Sequence, residues 1–262
     1  MSEPIRAVDR ALDILMCFTR QIPRLTMTQI AEQVGMNKST VHRLLGTLEK
    51  KRFVQRDPST GLYQLGIRLF QMAYLTLEQS DLRHLAAPVM QSLCEQFRET
   101  ITLSVIDDTD LIFLEVIESP QRVKLAASTG QRLPALSTAA GKAMLAHMSN
   151  ETVLNFLDRG MQQFTQHTIT TKDAFMENLD IARKQGFAIS TQEYEDGINA
   201  VAAPILDTNN NPLAAITVAG PAYRLTLEIM LKIGPSVVLA AQAIAQEVNP
   251  ANKPEVYPRK KG

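Results

Sequence analysis

Residues 25–50, LTMTQIAEQVGMNKSTVHRLLGTLEK, constrain the fold of this chain more than any other stretch, because they encode two short helices and a tight turn. Thr26 followed by Gln29 fits a capping box at the start of the first helix, and Gly35 suits a left-handed residue at its end. Asn37 is a favourable N-cap for the second helix. Two helices separated by about three residues predict a helix-turn-helix motif.

The second of these helices, KSTVHRLLGTLEK, has two chemically different faces. One face is apolar at positions i, i+3, i+4 and i+7 and is expected to pack on the domain core. It consists of Val41, Leu44, Leu45 and Leu48. The other face carries hydrogen-bond donors and cations, which suit the major groove of DNA and its phosphates. Its residues are Lys38, Ser39, Thr40, His42, Arg43 and Thr47. Taken alone, the pattern also fits an ordinary amphipathic helix with a basic, solvated side.

The segments that flank this motif extend it to a winged helix-turn-helix. RAVDRALDILMCF has apolar residues at helical spacing, which predicts a first helix packed behind the other two, with Arg10 beside its polar side. Its apolar side is expected to consist of Val8, Ala11, Leu12, Leu15 and Phe18. After the motif, RFVQR and LYQL are β-prone runs joined by the turn sequence DPSTG. They predict a hairpin that carries Arg52 and Arg56.

Charge and cysteine content limit the possible partners and the compartment. Residues 1–78 carry 11 Lys and Arg against 7 Asp and Glu, whereas residues 79–262 carry 16 against 20, although the whole chain has a net charge of zero. The basic first part suggests a polyanion as its partner. The two cysteines form no metal-binding or disulfide pattern, and the N-terminus is charged. We expect no apolar segment as long as the roughly 20 residues that a membrane-spanning helix needs. These features together predict a cytoplasmic protein.

After the hairpin, the pattern predicts a linker helix and then a second domain of mixed structure. The linker helix, 67–80, has an apolar side, which needs a partner surface and could pack on the same segment of another subunit. From Ile101 the runs ITLSVID, LIFLEVI and VKLAAS alternate with period two and predict strands. The other predicted elements are helices at 82–97, 151–157, 172–185 and 224–248 and strands at FAISTQEYE, NAVAAPILD and PLAAITVAG. Together they predict a mostly antiparallel α+β domain.

The segment LSTAAGKAMLAHM encodes a helix whose first turn has very small side chains. Ser137 or Thr138 can cap it, and exposed backbone N–H groups at such a helix start favour a carboxylate or phosphate. Alternatively, Ala139, Ala140 and Gly141 are small because the helix packs tightly on a sheet. The segment is not a phosphate-binding P-loop, since it lacks the first glycine and the final Ser or Thr of that pattern.

Six segments together resemble the IclR family of bacterial transcription regulators. They are RALDIL, STVHRLLGTLEKKRFV, YQLGIRLF, LSTAAGKAMLA, EDGINAVAAPILD and AAITVAGP, which follow the family order between about Pro4 and Val248. The resemblance implies an α+β chain in which an N-terminal winged helix-turn-helix is joined by a linker helix to a GAF-like α/β effector-binding domain. It also implies homodimers or homotetramers that bind partly palindromic operators in double-stranded DNA near metabolic promoters.

The resemblance assigns domains and DNA-binding residues by position. Residues 1–66 correspond to the DNA-binding domain, 67–80 to the linker helix, 81–249 to the effector-binding domain and 250–262 to a flexible tail. The residues that match the DNA-facing helix of the family are Ser39, Thr40, His42, Arg43 and Thr47. Arg10 matches an N-terminal arginine that can reach the DNA backbone. Lys38, Arg52 and Arg56 complete the expected DNA-binding set.

The family's effector pocket lies between the start of the LSTAAGK helix and the sheet. By position, this implicates Thr138, Ala139, Ala140, Ser190, Ile198, Ala200, Thr217 and Ala219. The chain has GINA at 197–200 where the commoner family form is GLRC, so the identity of the ligand does not carry over from other members. Because Ala200 and Ala219 leave room, the effector is expected to be a small organic acid with an apolar or aromatic body.

Two other classes of function are weighed against a regulator. An enzyme would need a nucleophile, base or metal set, yet the sequence contains neither HExxH nor GxSxG, and the acidic turn at 107–110 lacks a calcium-loop pattern. No catalytic residue, cofactor or metal is therefore expected. The other alternative is an effector-sensing scaffold whose winged helix binds a protein partner. Salt-dependent binding of duplex DNA would separate the two, because phosphate contacts release counterions.

Overall fold

The structure is a computed structural model that describes residues 5–19, 21–72 and 81–248. The described residues divide into two compact units, with the division after residue 80. Each unit has a hydrophobic core of its own. The predicted tail, 250–262, and residues 73–80 of the predicted linker helix lie outside the described residues.

The N-terminal unit has three helices followed by a two-stranded hairpin, which confirms the predicted winged helix-turn-helix. Its elements are α1 (Arg6–Met16), α2 (Met27–Gln33), α3 (Lys38–Lys50), β1 (Val54–Arg56), β2 (Tyr63–Leu65) and a helix α4, of which residues 67–72 are described. β1 and β2 pair antiparallel. The apolar face of α3 packs as predicted, since Val41 and Leu45 are fully buried and Leu44 and Leu48 lie against the same core.

Local caps fix the turn between α2 and α3. The Thr26 hydroxyl accepts a hydrogen bond from the backbone N–H of Gln29 at 3.2 Å, and the Gln29 side chain accepts one from the backbone N–H of Thr26 at 2.8 Å. Gly35 has φ +62°, in the left-handed region that favours glycine. Asn37 Oδ1 accepts from the backbone N–H of Thr40 at 2.9 Å. The predicted capping box, C-terminal glycine and N-cap are confirmed.

Two details predicted for this unit are wrong. Val8 and Leu12 do not pack on the other helices; they are 55% and 52% exposed. Burial along α1 begins only at Arg10 and is complete at Ile14, so the first two turns extend beyond the small core of the unit. Arg52 does not lie on the hairpin either. It precedes β1, with φ +64°, in the connection that ends α3.

The second unit is a six-stranded sheet with helices on both faces. Its elements are α5 (Asp81–Phe97), β3 (Thr100–Asp107), β4 (Asp110–Ile117), β5 (Arg132–Pro134), a 3₁₀ turn (Ala135–Ser137), α6 (Ala139–Leu145), α7 (Asn150–Asp158), α8 (Lys172–Gln185), β6 (Ala188–Thr191), β7 (Ile198–Leu206), β8 (Pro212–Pro221) and α9 (Leu227–Val248). The strand order is β5-β4-β3-β8-β7-β6, and neighbouring strands are antiparallel. The predicted α+β class is confirmed.

Successive residues of the central strands supply two different cores. On β7, Val201 and Ala203 belong to the core formed with α5 and α9, whereas Ala202 between them belongs to the core formed with α6 and α8. On β8, Ile216 and Ala215 divide in the same way. Because side chains alternate across a strand, the two groups of helices cover opposite faces of the sheet. The face under α6 carries Ala202 and Ala215.

The predicted strand VKLAAS, residues 123–128, is wrong. Residues 124–128 have no regular structure, and β5 lies a few residues later, at 132–134. The edge of β4 is already paired there, because β5 bonds to 110–112 and the N–H of Phe113 donates to the Gln131 carbonyl at 3.0 Å. Residues 124–128 belong to no strand, and Ala127 packs in the core formed with α6 and α8.

The closing helix α9 begins at Leu227, three residues later than predicted. It is 22 residues long with mean hydropathy 1.5 in its most apolar window, so by length and composition alone it could cross a membrane. The expectation that no apolar run approaches this length is therefore wrong. Seven residues of α9 are buried, and their apolar side chains pack on the sheet together with α5.

Candidate functional site

The first candidate site is the polar face of α3. Lys38, Ser39, His42, Arg43 and Thr47 are exposed and Thr40 is half-buried. The Thr47 hydroxyl donates to the Arg43 carbonyl at 3.1 Å, so it is partly occupied by its own helix. Among the described residues, no hydrogen bond or ion pair holds the side chains of Lys38, His42 or Arg43. These three cationic or donor groups are available to an external partner.

A groove between α1 and α3 joins this face to the first helix. It is lined by Arg6, Ala7, Arg10, Thr40, Arg43, Leu44 and Thr47. Three of these residues are arginines and none is a carboxylate, so the groove suits a phosphate or another anion. The structure thus brings Arg10 next to α3. Arg6 is not in the predicted set, although its i, i+4 spacing from Arg10 places both on one side of α1 and could have indicated it.

The hairpin contributes fewer free cations than predicted. Arg56 lies on β1 with its guanidinium 5.7 Å from the centre of the Tyr63 ring, and its Nε donates to the Gly61 carbonyl at 3.4 Å. At the tip, the hydroxyl and the backbone N–H of Ser59 donate to the Asp57 carboxylate at 2.6 and 2.8 Å, which lowers the pKa of Asp57 to about 2. The tip therefore carries an ionised carboxylate at neutral pH.

The second candidate site is a cavity between α6 and the sheet, open on one side. All the residues predicted to bind an effector line it: Thr138, Ala139, Ala140, Ser190, Ile198, Ala200, Thr217 and Ala219. The other lining residues are Thr102, Leu111, Phe113, Leu125, Ala126, Ala127, Gln131, Leu133, Ser137, Tyr194 and Glu195. Segments far apart in the chain are brought together here by the strand order.

One wall of the cavity is the start of α6. The Thr138 hydroxyl accepts from the backbone N–H of Gly141 at 3.1 Å and donates to the Ala135 carbonyl at 3.2 Å, so it caps the helix as predicted. A Cβ at Gly141 would lie 2.0 Å from the Ala135 carbonyl oxygen. Of the two explanations for the small residues, tight packing therefore accounts for Gly141. Ala139 and Ala140 line the cavity.

The floor of the cavity is formed by neighbouring strands in register. Ser190, Ala200 and Ala219 face one another across β6, β7 and β8, and Thr217 lies opposite Thr102 on β3. Thr217 Oγ1 is buried and has no hydrogen-bond partner among the described residues. A buried hydroxyl without a partner at a cavity wall is an available donor and acceptor for a ligand.

Sequence reasoning missed Thr102, although a signal for it exists. Thr100, Thr102 and Ser104 alternate with apolar residues along β3, so they share the sheet face opposite the α5–α9 core. Leu125 was also missed, because the predicted strand at 123–128 was wrong. Phe113 was missed although it lies on β4, which the sequence predicted as the strand LIFLEVI. The charged side chain in the lining is Glu195, which is exposed; among the described lining residues there is no Lys, Arg or His.

The sequence of each unit matches one family. Residues 7–58 match the profile described as the IclR helix-turn-helix domain, and residues 74–246 match the profile described as bacterial transcriptional regulator IclR C-terminal. The chain belongs to the IclR family. The resemblance found in the sequence is confirmed, and the winged domain and the α+β domain are the two parts of an IclR-family protein.

IclR-family relatives extend along nearly the whole chain. The transcriptional repressor IclR of Escherichia coli K12 is 29% identical over 243 residues, which cover 92% of this chain and 89% of that protein. The crystal structure of an IclR transcriptional regulator from Alicyclobacillus acidocaldarius has a TM-score of 0.81 at 26% identity and covers 93% of this chain and 98% of its own. An IclR homologue from Microbacterium hydrocarbonoxydans, crystallised with 4-hydroxybenzoate, has a TM-score of 0.82 at 22% identity, covers 92% and 99%, and shows a likeness of fold.

IclR-family membership decides the class of function. The protein is a transcription regulator with a helix-turn-helix DNA-binding domain, and not an enzyme, because the family and its named relatives are regulators. The alternative of a scaffold whose winged helix binds a protein is not favoured by these relatives. Which residues bind DNA and effector stays a prediction.

Proposed function

We propose that this regulator controls a catabolic or metabolic operon in response to a small organic acid, with residues 1–66 binding DNA, 67–80 linking and 81–249 binding the effector. The main support is the cavity beside α6, because all eight positions implicated by the family resemblance line it. A random choice of positions from four separate segments would not share one cavity. The arginine groove of the other unit supports binding of a polyanion.

On DNA, α3 lies in the major groove with His42 and Arg43 at base edges or phosphates. Arg6 and Arg10 contact the backbone beside it, since they line one groove with Arg43. Arg56 on the hairpin and Arg52 in the connection before it lie near the flanking DNA backbone. A homodimer, or a pair of dimers, presents two such helices to a partly palindromic operator.

In the cavity, the effector is an organic acid with an apolar or aromatic body. Phe113, Leu125 and other apolar side chains contact the body, and the Thr217 hydroxyl binds a polar group. Glu195 repels a carboxylate at the mouth, so the acid group points inward to the hydroxyls. The Microbacterium hydrocarbonoxydans homologue was crystallised with an aromatic acid, 4-hydroxybenzoate.

The effector regulates DNA binding through differential affinity. A ligand changes the equilibrium between two arrangements of the DNA-binding units only if it binds one of them more tightly. The linker residues connect the two events within each subunit. We expect this to occur in the cytoplasm, where the operator is.

The test is a band-shift titration of the full-length protein on the intergenic DNA beside its own gene, at several salt concentrations, with 4-hydroxybenzoate and aliphatic acids added. We expect selective binding whose log affinity falls linearly with log salt, and one acid that changes it. Binding no tighter than to unrelated DNA would contradict the operator proposal. Selective binding that no acid alters would contradict the effector proposal.

Two substitutions test the cavity directly. Ala140→Trp and Thr217→Trp fill it with a large side chain, so we expect them to abolish the effector response while DNA binding survives. Isothermal titration calorimetry measures effector binding in both variants. Normal binding in both would mean that the effector site lies elsewhere.

A further inference from the structure

An ion pair is buried beside the cavity without lining it. Lys142 lies on α6, two residues after the cavity-lining Ala140, and its side chain is 0% exposed. Lys142 Nζ donates to Glu193 Oε1 at 2.5 Å, and the Glu193 side chain is 7% exposed. Burial lowers the pKa of Lys142, and the Glu193 carboxylate acts in the opposite direction. Among the described residues, no other ion pair has both side chains so deeply buried.

Glu193 belongs to the segment 192–197, which connects β6 to β7 and forms a second wall of the cavity. The two residues that follow it, Tyr194 and Glu195, line the cavity. The Tyr194 ring also packs on Phe164, with 5.1 Å between ring centres. The ion pair therefore joins two walls of one cavity at a point behind its surface.

The backbone of this wall is held from one side by hydroxyl groups. Thr165 Oγ1 donates to the Gln192 carbonyl at 2.7 Å, and Thr168 Oγ1 donates to the Glu193 carbonyl at 2.6 Å. Toward α6, the Glu193 side chain is held by Lys142, while no described residue forms a hydrogen bond with its second oxygen, Oε2. Within the described structure, Lys142 is thus the group that fixes this carboxylate.

A buried ion pair adds little net stability, because the loss of hydration offsets the attraction, but it does fix the distance between two groups. We propose that Lys142 and Glu193 are positioning residues that hold the Tyr194–Glu195 wall against α6 and thereby set the affinity of the cavity for its ligand. The part that concerns affinity rests on the proposed effector site. The part that concerns the wall is a property of the ligand-free protein and is tested without any effector.

The first experiment follows the wall directly. The chain contains no tryptophan, so Tyr194→Trp in the full-length protein gives a single emission probe in the wall. In this background, Lys142→Met/Glu193→Leu replaces the pair with apolar side chains of similar length and leaves no unpaired buried charge. We expect acrylamide quenching of Trp emission to rise, with unchanged far-UV circular dichroism. Unchanged quenching in the folded double variant would overturn the proposal.

A conservative variant keeps the test decisive if the double variant fails to fold. Glu193→Gln keeps the shape and one acceptor for Lys142 but removes the charge, so quenching should lie between the parent and the double variant. Parent-like quenching in Glu193→Gln would then overturn the proposal. The matched control is Lys172→Ala/Asp158→Ala, which removes an ion pair that is 52% and 63% exposed and lies away from the cavity lining; it should leave quenching unchanged.

The second experiment separates positioning from stability, in the protein that keeps Tyr194. Thermal unfolding and affinity for 4-hydroxybenzoate, or for another acid that alters the band shift, are measured for Lys142→Met and for the double variant. We expect Lys142→Met to unfold at a lower temperature, the double variant to regain most of that loss, and ligand affinity to stay about tenfold weaker in both. If the double variant recovers both stability and affinity, Lys142 and Glu193 have only a structural role, and the proposal that they set ligand affinity is overturned. If the parent binds none of the acids, the effector proposal fails, and the Trp probe still decides the role of the pair.

Discussion

The two candidate sites differ in how the chain builds them. The DNA-binding face takes most of its residues from 38–47, a run of one helix, and its cationic side chains are exposed. The cavity takes its residues from positions as far apart as 102 and 219, and its floor is buried. A local, exposed site tolerates change in its surroundings, whereas a site assembled between packed elements depends on each of them.

Two glycines inside helices make the same contrast. A Cβ at Gly46 in α3 would meet no atom of the described residues within 4 Å, whereas a Cβ at Gly141 in α6 would lie 2.0 Å from the Ala135 carbonyl oxygen. Gly46 therefore leaves space that an outside partner can approach. Gly141 is required by the protein itself.

The largest expected effect is that of Gly141→Ala. The added methyl collides with backbone that cannot move without displacing the start of α6, so we expect a loss of about 3 kcal/mol or more of unfolding free energy. Urea unfolding followed by circular dichroism measures it. The matched control, Gly46→Ala, should instead raise stability by about 0.5–1 kcal/mol. Equal effects of the two substitutions would contradict the contrast between the sites.

Next in size is the loss of DNA binding on removing α3 side chains. We expect His42→Ala and Arg43→Ala each to weaken operator binding by about 1–3 kcal/mol without unfolding the protein, because both groups lack partners within the described structure. Arg43→Ala should also reduce the salt dependence if it contacts a phosphate. Lys184→Ala, which removes an exposed charge from α8 in the other unit, is the control. Band-shift affinity equal to that of the parent in both α3 variants would rule out α3 as the recognition helix.

A smaller effect separates two threonines of the cavity. Thr217→Val removes a buried hydroxyl that has no partner among the described residues. The ligand-free protein should therefore be as stable as the parent or more stable by about 1 kcal/mol, while effector affinity falls. Thr138→Val removes a helix cap and should destabilise by about 1 kcal/mol. Thermal unfolding and calorimetry measure the two quantities. Equal destabilisation by both substitutions would show that Thr217 has a structural partner.

The smallest effect concerns the hairpin tip. The pKa of Asp57 is lowered from 3.8 to about 2 by hydrogen bonds from Ser59 and Thr60. A carboxyl whose folded pKa is lowered stabilises the fold above its unfolded pKa, and this contribution is lost as the pH falls from about 4 through 2. We expect Asp57→Ala to be slightly less stable than the parent at neutral pH, with the difference vanishing near pH 2. A difference independent of pH would mean that the charge is not its cause.

The sequence predicted the local structure well where short-range chemistry decides it. The capping box of Thr26 and Gln29, the N-cap Asn37 and the bounds of α8 at Lys172–Gln185 depend on residues within a few positions of one another. The apolar side of α1 and the strand at 123–128 were wrong, because burial of Val8 and pairing of residue 125 depend on what the rest of the unit offers. Periodicity shows which residues can pack together, and not whether a partner surface is present.

By itself, the sequence determined the winged helix-turn-helix and the α+β class of the second unit, because helix caps, turns and strand alternation depend on residues close together in the chain. It also determined the IclR family, because the segments typical of the family occur in the family's order. Only the tertiary structure decided that Thr102 lies opposite Thr217, that Arg6 shares a groove with Arg43 and that Lys142 pairs with Glu193. These contacts join residues that are 37 to 115 positions apart. Strand order and helix packing bring the two residues of each pair together, and no local sequence pattern predicts that they are close.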